Sequence, residues 1–304
     1  MQRVHFIAIG GAAMHNLAIA ISKKNNFQVT GSDDEIIEPS YSRLTENNLL
    51  PGALGWFPDK LHKGLHAVIL GANVTENNPE LIRAKELGLK IFSFPEYIFQ
   101  QTRSKTRIVV TGSHGKTMTT AAILFVLKQS KIDTDYMIGS KIEGYDKWVK
   151  LSYESRIAIF EGDECPTSTI DPRPQFHLYK PHIAVITGIK KNPDIVCQTF
   201  ETYVEHFQKF TELMEVQGRL VYFNGDENLN TIAKNLRRDI VSFPYNTPEH
   251  IIKEGKTYLI TKYGEIPLKI SGDSNLQNLD AARLACRQIG VTDEQFYSVI
   301  SDFS

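Results

Sequence analysis

Residues 109–117 read Val-Val-Thr-Gly-Ser-His-Gly-Lys-Thr, and they carry more structural information than any other stretch of this sequence. The residues before the turn, 107–110, predict a buried strand, and a segment with helical spacing runs from Lys116 to about Ser130. A strand that passes through a glycine turn into a Lys-Thr helix start is typical of a phosphate-binding loop. Val110 replaces the first glycine of the full G-x-x-x-x-G-K-[ST] pattern, so the prediction depends on the strand and helix around the turn.

Each part of this turn has a predicted role in holding a nucleoside triphosphate. Backbone N–H groups would hold the phosphates of ATP, the Lys116 ammonium would neutralise the outer phosphates, and the Thr117 hydroxyl would bind Mg²⁺. We expect His114 to serve the geometry of the loop rather than proton transfer, because phosphoryl transfer has little need of a base. The ATP-binding residues predicted here are Gly112, Ser113, His114, Gly115, Lys116 and Thr117.

An acidic segment follows the next predicted strand. Residues 156–160 predict that strand, and Glu161, Asp163 and Glu164 come directly after it. Ligands of open α/β sheets bind at the carboxyl ends of the strands, and carboxylates placed there can hold Mg²⁺ beside a nucleotide. A solvated acidic loop is the alternative interpretation, although the neighbouring phosphate-binding loop favours the metal site.

A second glycine turn lies near the N-terminus. Residues 4–9 predict a buried strand, residues 12–23 predict a helix, and Gly10 and Gly11 lie between them. Small residues at such a turn let a phosphate approach the backbone at the positive end of the helix dipole. Alanine replaces the first and third glycines of the G-x-G-x-x-G fingerprint, so a tight turn without a ligand stays open as an alternative.

Asp33 follows the second predicted strand, residues 27–30, where an NAD-dependent enzyme places its ribose-binding acid. A dinucleotide oxidoreductase is therefore one candidate, and a turn cap within Gly31-Ser32-Asp33 is the other explanation of this aspartate. The phosphate-binding loop weakens the oxidoreductase hypothesis, because a nicotinamide enzyme has no use for a second loop of the ATP type.

Strands and helices alternate along the chain, which predicts parallel sheets of the doubly wound α/β class. The polar stretch at residues 100–105 separates two such series. We therefore predict a Rossmann-like parallel-sheet domain at residues 1–105 and a P-loop α/β domain at residues 106–304. Further strands are predicted at residues 67–70, 90–92, 183–186 and 220–223, and further helices at residues 79–87, 199–214, 275–289 and 293–300.

Composition narrows the functional classes. The formal net charge is -1 without a basic stripe, which argues against a nucleic-acid binder. The sequence shows no apolar run that could span a bilayer and no signal peptide, so we expect no membrane partner. The three cysteines are widely spaced and form neither a disulfide framework nor a metal motif, which favours a reducing compartment, the cytoplasm.

Several of these segments resemble the Mur ligases, most closely their muramate-type members. Residues 10–14 are similar to the family loop G-x-G-G-x-G-M, residues 111–117 to T-G-T-H-G-K-T, and residues 161–164 to E-x-D-E. Asn73, together with residues 78–80, is similar to the family's nucleotide-sugar contact segment. Residues 171–181 are most similar to the branch that recycles the murein tripeptide, and the chain also resembles the branch that adds L-alanine.

The resemblance implies an enzyme that uses ATP to join an amino acid or a murein tripeptide to UDP-N-acetylmuramic acid, in peptidoglycan synthesis or recycling. The muramoyl carboxylate would take the γ-phosphate of ATP to give an acyl phosphate, and an amine would then displace phosphate. By resemblance, the catalytic residues are Lys116 and Glu164, the metal ligands are Thr117, Glu164 and Glu161, and Asn278 lies near the adenine. The residues assigned to the UDP-sugar are Gly10, Gly11, Ala13, Met14, Ser32, Asp33 and Asn73.

Three departures from the family pattern support a second hypothesis. Lys191 and Asn192 replace an Asp-His pair, Ser274 replaces the histidine before the adenine asparagine, and the sequence ends at Ser304, where the family continues into a C-terminal domain. The expected absence of that domain fits either a fragment of a longer enzyme or a degenerate relative that binds nucleotide or UDP-sugar without catalysis. The change at Lys191 and Asn192 fits only the degenerate relative, because truncation does not alter internal residues.

Overall fold

The computed structural model describes residues 1–145, 147–190 and 199–304 of the chain. The helices are α1 (Ala12–Ser22), α2 (Ser40–Glu46), α3 (Pro79–Glu86), α4 (Phe94–Thr102), α5 (Lys116–Gln129), α6 (Phe200–Glu212), α7 (Glu227–Lys234), α8 (Asp273–Arg287) and α9 (Asp293–Ile300). The strands are β1 (Gln2–Ile7), β2 (Phe27–Ser32), β3 (Ala67–Leu70), β4 (Ile91–Ser93), β5 (Thr106–Thr111), β6 (Thr134–Met137), β7 (Val149–Lys150), β8 (Ile157–Glu161), β9 (Pro166–Ser168), β10 (Asp171–Pro174), β11 (Ile183–Ile186), β12 (Arg219–Phe223), β13 (Val241–Tyr245), β14 (His250–Lys253), β15 (Lys256–Thr261) and β16 (Gly264–Leu268). Short 3₁₀ turns lie at Pro58–Lys60 and Gln175–Leu178.

The chain divides into two compact units. The first consists of Met1–Arg103, Glu143–Tyr153 and Cys165–Leu178, and the second consists of Ser104–Ile142, Glu154–Glu164 and Tyr179–Ser304. The first crossing, after Arg103, falls within the polar stretch at residues 100–105, but the two later segments of the first unit were not predicted. Thr169 shows how one of these segments joins the first unit. Its N–H donates to the Ala72 carbonyl oxygen at 2.9 Å, and its hydroxyl donates to the Val74 carbonyl oxygen at 2.7 Å. Contacts between such distant loops leave no local pattern in the sequence.

The first unit is built on a parallel sheet with the strand order β2-β1-β3-β4. Every residue of β3 is buried, as is typical of a strand covered on both faces. Its core cluster contains Ile7, Leu61, Val68, Leu70, Val74, Leu81 and Ala84. This arrangement confirms the predicted α/β class.

His5 and Glu80 form a fully buried polar pair in the first unit. His5 Nε2 lies 3.2 Å from Glu80 Oε2, and both side chains are 0% exposed. The other ring nitrogen of His5 lies 2.8 Å from the Thr30 hydroxyl, and Glu80 Oε1 accepts the Phe57 N–H at 2.7 Å. Because each buried polar atom has a partner, the pair ties α3 and the loop at Phe57 to β1 without leaving an unpaired charge.

The second unit is built on parallel strands in the order β13-β12-β11-β5-β8-β6. Helix α5 packs against β5, β8 and α8, and α8 also packs against β11, β12 and β13. A separate antiparallel sheet, β14-β15-β16, follows β13. Sequence analysis did not predict this sheet, and most of its residues are not fully buried.

Most predicted elements are present, and two differences in their ends matter for function. Strand β1 ends at Ile7 rather than at Ile9, because Ala8 takes a left-handed backbone with φ of 65° and turns the chain out of the sheet. Strand β8 runs one residue beyond the predicted end at Phe160, so that Glu161 belongs to the strand itself. In the described part of the chain, no helix combines the length and the apolar character needed to cross a bilayer.

Candidate functional site

The glycine turn of the second unit lies at the carboxyl end of β5. Strand β5 ends at Thr111 and α5 begins at Lys116, so residues 112–115 form the connection. Gly112 has φ of +131° and Gly115 has φ of +78°, backbone conformations in which a side chain would be strained. A Cβ atom at Gly115 would also collide with the amide of Asn278. The two glycines therefore let the turn pass close to its neighbours.

The strand register brings three chemically active segments to this turn. Strand β5 lies between β11 and β8, and Ile186 of β11 pairs with Thr111. On the other side, Val110 pairs with Glu161, the last residue of β8. Thr187 and the acidic segment therefore flank the turn at the sheet edge where open α/β sheets bind their ligands.

Thr187 and Gly188 hold the turn from the β11 side. The Thr187 hydroxyl contacts the carbonyl oxygens of His114 and Thr111, the second at 3.2 Å. The Ser113 N–H donates to the Gly188 carbonyl oxygen at 2.9 Å. Sequence analysis did not identify these two residues. Their position directly after the predicted strand at residues 183–186 was the one feature of the sequence that could have indicated them.

The Lys116 ammonium lies against the turn and the acidic segment. Its Nζ donates to the Gly112 carbonyl oxygen at 2.8 Å and to the two carboxylate oxygens of Glu164 at 3.0 and 2.8 Å. The Glu164 side chain is 6% exposed and that of Lys116 is 24% exposed. The structure thus brings the two predicted catalytic residues together as an ion pair.

Glu161 is the second buried carboxylate beside the turn. Its Oε2 accepts a hydrogen bond from the Thr117 hydroxyl at 3.0 Å, and its Oε1 is buried with no hydrogen-bond partner among the described residues. Burial raises the pKa of Glu161, against the opposing hydrogen bonds from Thr117 and the Gly139 N–H. Burial likewise raises the pKa of Glu164, against the opposing charge of Lys116. A cation close to both carboxylates would stabilise their ionised forms.

These groups fit a hydrated divalent cation. Mg²⁺ is usually held by one or two carboxylates together with waters and phosphate oxygens, and the unpaired Oε1 of Glu161 beside Thr117 is an oxygen that such an ion would satisfy. Within the part of the chain that the structure describes, no three His, Cys, Asp or Glu side chains converge as a metal site. The predicted set of Thr117, Glu161 and Glu164 therefore fits an ion that also binds phosphate, rather than one enclosed by protein.

His114 belongs to the turn, and Asn278 packs directly against it. The His114 ring lies against the backbone of Gly188, and its Nδ1 is buried without a partner among the described residues. Burial, followed by the positive charge of Lys190, lowers the pKa of His114. Asn278 is 6% exposed on α8 and lies beside Gly115. Asn278 thus contacts the loop, while its place near the adenine stays a prediction.

Tyr203 is a polar contact of this site that no sequence motif identifies. Its ring is 3% exposed and packs edge-on against Phe207, at 5.1 Å between ring centroids. Its hydroxyl, however, lies 3.0 Å from Ser113 Oγ and 3.4 Å from Glu164 Oε1. The apolar spacing on α6 is consistent with the buried ring but contains no information about the hydroxyl.

The glycine turn of the first unit opens onto a separate cleft with a volume of about 710 Å³. Four of its lining residues belong to the set assigned to the UDP-sugar, namely Gly10, Gly11, Asp33 and Asn73. Asp33 Oδ2 accepts the Gly10 N–H at 2.7 Å, and Oδ1 accepts the Glu35 N–H at 3.4 Å. Burial raises the pKa of Asp33, against these two N–H donors. In this structure Asp33 therefore braces the glycine turn at Gly10, a contact that sequence analysis did not predict.

The other residues assigned to the UDP-sugar do not line this cleft. Ala13 is exposed on α1, and Met14 is 4% exposed, packed beneath Gly11. Ser32 is fully buried, and its hydroxyl accepts a hydrogen bond from Lys60 Nζ at 3.1 Å. In the related segment at residues 78–80, by contrast, Asn78 and Pro79 do line the cleft, while the Asn78 side chain caps α3 and Glu80 bonds to His5.

The structure describes only some of the residues that depart from the family pattern. Lys191 and Asn192 lie outside the described residues, so the expected loss of a metal ligand stays a sequence argument. Ser274 is exposed in the first turn of α8, one turn before Asn278.

This site defines a P-loop type of α/β nucleotide-binding protein. Its features are a parallel strand, a turn with two glycines, a Lys-Thr helix start and two buried carboxylates. Two family profiles match this chain, the Mur ligase middle domain over residues 110–286 and the Mur ligase family catalytic domain over residues 3–106. The chain belongs to the Mur ligase family, which confirms the predicted resemblance.

Curated relatives align along almost all of this chain. The UDP-N-acetylmuramate–L-alanine ligase of Carboxydothermus hydrogenoformans is 26% identical over 315 residues, which cover 100% of this chain and 66% of the relative. The enzyme of the same name from Renibacterium salmoninarum is 28% identical over 322 residues, with 100% and 65% covered. This chain thus spans about two thirds of the length of these relatives.

Solved structures share the fold. A Neisseria UDP-N-acetylmuramate:L-alanyl-γ-D-glutamyl-meso-diaminopimelate ligase matches with a TM-score of 0.83 and 21% identity, covering 100% of this chain and 98% of that chain. The Thermotoga maritima UDP-N-acetylmuramate–alanine ligase matches with a TM-score of 0.73 and 21% identity, covering 100% of this chain and 69% of that chain.

Proposed function

We propose that this chain carries the UDP-sugar-binding domain (residues 1–105) and the ATP-binding domain (residues 106–304) of a ligase that joins an amino acid or peptide to UDP-N-acetylmuramic acid. The observation that carries the proposal is the convergence of Lys116 and Thr117 with the buried carboxylates Glu161 and Glu164 at one sheet edge. The names of the curated relatives support the choice of the sugar acceptor.

In this proposal the residues of the turn bind and orient ATP. The first N–H groups of α5 have no partner within the helix, so they and the turn at Gly112, Ser113, His114 and Gly115 are available to the phosphates. Lys116 leaves Glu164 and donates to the outer phosphate oxygens, while Asn278 supports the loop near the adenine. Thr117, Glu161 and Glu164 hold Mg²⁺, which supplies charge neutralisation on the phosphates.

The resemblance to the Mur ligases implies the reaction class. An oxygen of the muramoyl carboxylate attacks the γ-phosphorus of ATP, the bond to the β-phosphate oxygen breaks, and ADP leaves. The amine then attacks the acyl carbon, loses a proton, and phosphate departs. Lys116 stabilises the negative charge on the phosphoryl group in the first step, where electrostatic stabilisation outweighs any need for a base.

The cleft of the first unit is proposed to receive the UDP-sugar. Its volume of about 710 Å³ lies within the usual range for a small-molecule site. Gly10 and Gly11 would approach the pyrophosphate, with Asp33 and Asn73 on the lining. Met14 would pack beneath the turn, Ser32 would orient Lys60, and Ala13 would keep the first helical turn small. A cytoplasmic location belongs to the same proposal, supported by the three widely spaced cysteines of the sequence, which form neither a disulfide framework nor a metal motif.

Calorimetry with Mg-ATP is the direct test of the nucleotide site. We expect the chain to bind Mg-ATP, and Lys116→Met to weaken binding about tenfold to a hundredfold, the effect of losing a hydrogen bond to a charged group. Lys128→Met is the matched control, because Lys128 is exposed on the same helix. Absence of Mg-ATP binding by the unmodified chain would overturn the proposal, and so would preferential binding of NAD.

A phosphate-release assay tests catalysis separately. With UDP-N-acetylmuramic acid and ATP present, we expect phosphate release that depends on an added amine, either the murein tripeptide or L-alanine. Tight binding of both nucleotides without amine-dependent phosphate would instead identify the chain as a binding form without turnover, the second hypothesis from the sequence.

A further inference from the structure

The Tyr203 hydroxyl links the nucleotide loop to the acidic segment. It lies 3.0 Å from Ser113 Oγ and 3.4 Å from Glu164 Oε1, in a ring that is 3% exposed. The ring packs edge-on against Phe207, which restricts where the hydroxyl can lie. This is a buried polar bridge between a residue that faces phosphate and a residue that faces the metal in the proposed function.

A count of protons shows that these contacts compete. Ser113 Oγ donates to the Lys190 carbonyl oxygen at 3.0 Å and accepts the Lys190 N–H at 2.8 Å, and with its single proton on Lys190 it can only accept from Tyr203. Tyr203 carries a single O–H, so it can donate to Ser113 or to Glu164 but not fully to both. Glu164, with Lys116 on both of its oxygens, is a negatively charged acceptor and attracts that proton.

We propose that Tyr203 is a positioning residue that couples metal binding at Glu164 to nucleotide binding at the loop. The inference rests on the proposed function. When a divalent cation takes up the charge of Glu164, this carboxylate becomes a weaker acceptor, and the Tyr203 proton turns to Ser113 Oγ. The added hydrogen bond stabilises the loop in its present form. The cation therefore strengthens ATP binding by more than its direct contact with phosphate alone would.

The coupling is measurable as a ratio of two affinities. ATP is titrated calorimetrically with saturating Mg²⁺ and again with a chelator, for the unmodified chain and for Tyr203→Phe. We expect the ratio of the two affinities to fall about threefold to tenfold in Tyr203→Phe, the range of one hydrogen bond used as a coupling. Tyr179→Phe is the matched control, because Tyr179 is fully buried and its hydroxyl has no partner among the described residues. The ratio should not change in this control.

A second variant tests the coupling even if Tyr203→Phe does not fold. Ser113→Ala removes the other end of the bridge, so it should lower the ratio by a similar factor, and the double variant should add little more. A ratio unchanged in Tyr203→Phe or in Ser113→Ala overturns the coupling. Equal loss of both affinities in Tyr203→Phe also overturns it, since that result indicates a purely structural role. If the unmodified chain binds no Mg-ATP, the proposed function itself fails.

Discussion

The Nζ atom of Lys116 lies 2.8 Å from Oε2 of Glu164 and 3.0 Å from Oε1, although 48 positions separate the two residues in the chain. The lysine that would hold phosphate therefore neutralises the carboxylate that would hold the metal. Lys116 exchanges one partner for another when ATP enters, and a buried carboxylate does not stay without a counter-charge in either state. The ion pair makes the affinity for ATP depend on how strongly Glu164 competes for Lys116.

Glu164→Gln should raise the affinity for ATP in the absence of Mg²⁺ and reduce the enhancement of that affinity by Mg²⁺. Without Mg²⁺ we expect ATP affinity to rise about threefold to tenfold, because Lys116 is released from a charge-assisted hydrogen bond. With Mg²⁺ we expect the usual enhancement to fall, because a neutral amide is a poorer ligand. Calorimetry at both conditions measures both effects. Glu205→Gln, an exposed change on α6, is the control, and a Glu164→Gln protein that matches this control in both titrations contradicts the prediction.

Gly115→Ala should destabilise the second unit more than Gly255→Ala. Both glycines have a left-handed backbone, with φ of +78° and +76°, so both variants carry a similar strain of about 1 kcal/mol. A Cβ atom at Gly115 also meets the Asn278 amide, whereas nothing lies within 4 Å of a Cβ atom at Gly255. We expect an additional loss of about 1–3 kcal/mol in the free energy of unfolding at Gly115, measured by urea denaturation.

The origin of that additional loss can be isolated. Combining Gly115→Ala with Asn278→Ala shortens the side chain that causes the collision, so the double variant should be more stable than the sum of the single effects predicts. Strict additivity would show that the collision does not contribute.

Asp33 variants should separate bracing of the turn from direct contact with the ligand. Asp33→Ala removes the acceptor of the Gly10 N–H, and we expect affinity for UDP-N-acetylmuramic acid to fall about tenfold, the effect of one lost hydrogen bond that holds the turn. Asp33→Asn keeps an oxygen acceptor, so affinity should change by less than about threefold. Equal losses in both variants would show that the charge of Asp33 acts on the ligand itself.

The buried pair of His5 and Glu80 should make the first unit sensitive to acid. Burial alone would raise the pKa of Glu80, but hydrogen bonds from His5, Ser32 and the Phe57 N–H together outweigh it and lower that pKa below its ordinary value of 4.5. A carboxyl group with a lowered pKa in the folded state stabilises the fold above about pH 4.5, and this stabilisation is lost as the pH falls through the lowered pKa.

Glu80→Gln tests this dependence. At pH 7 we expect the variant to lose about 1–3 kcal/mol in the free energy of unfolding, because a charge-assisted hydrogen bond becomes neutral. The difference from the unmodified chain should shrink as the pH falls through the lowered pKa of Glu80, where the carboxylate becomes protonated. Glu86→Gln, on the exposed end of α3, is the control. A difference that stays constant from pH 7 to pH 3 would show that the stabilisation does not come from the ionised carboxylate.

Elements with strong local patterns could be predicted closely from the sequence. The strands at Ala67–Leu70 and Ile183–Ile186 and the helix at Asp293–Ile300 have the predicted limits. Elements held by distant contacts could not be predicted in this way. The segment Cys165–Leu178, for example, belongs to the first unit through contacts such as those of Thr169. In the site, Lys116, Thr117 and Glu164 carry recognisable motifs, whereas Thr187 and Tyr203 do not.

The sequence by itself determined the class of the fold and the chemistry of the loop, because strand periodicity, glycine turns and a Lys-Thr helix start are local properties that a short segment encodes. Only the tertiary structure decided which partners these groups meet. The order β11-β5-β8 places Thr187 and Glu161 on either side of the turn, and the packing of α6 brings the Tyr203 hydroxyl to Ser113 and Glu164. The physical reason is that sheet register and helix packing join residues distant in the chain, and no single segment contains that information.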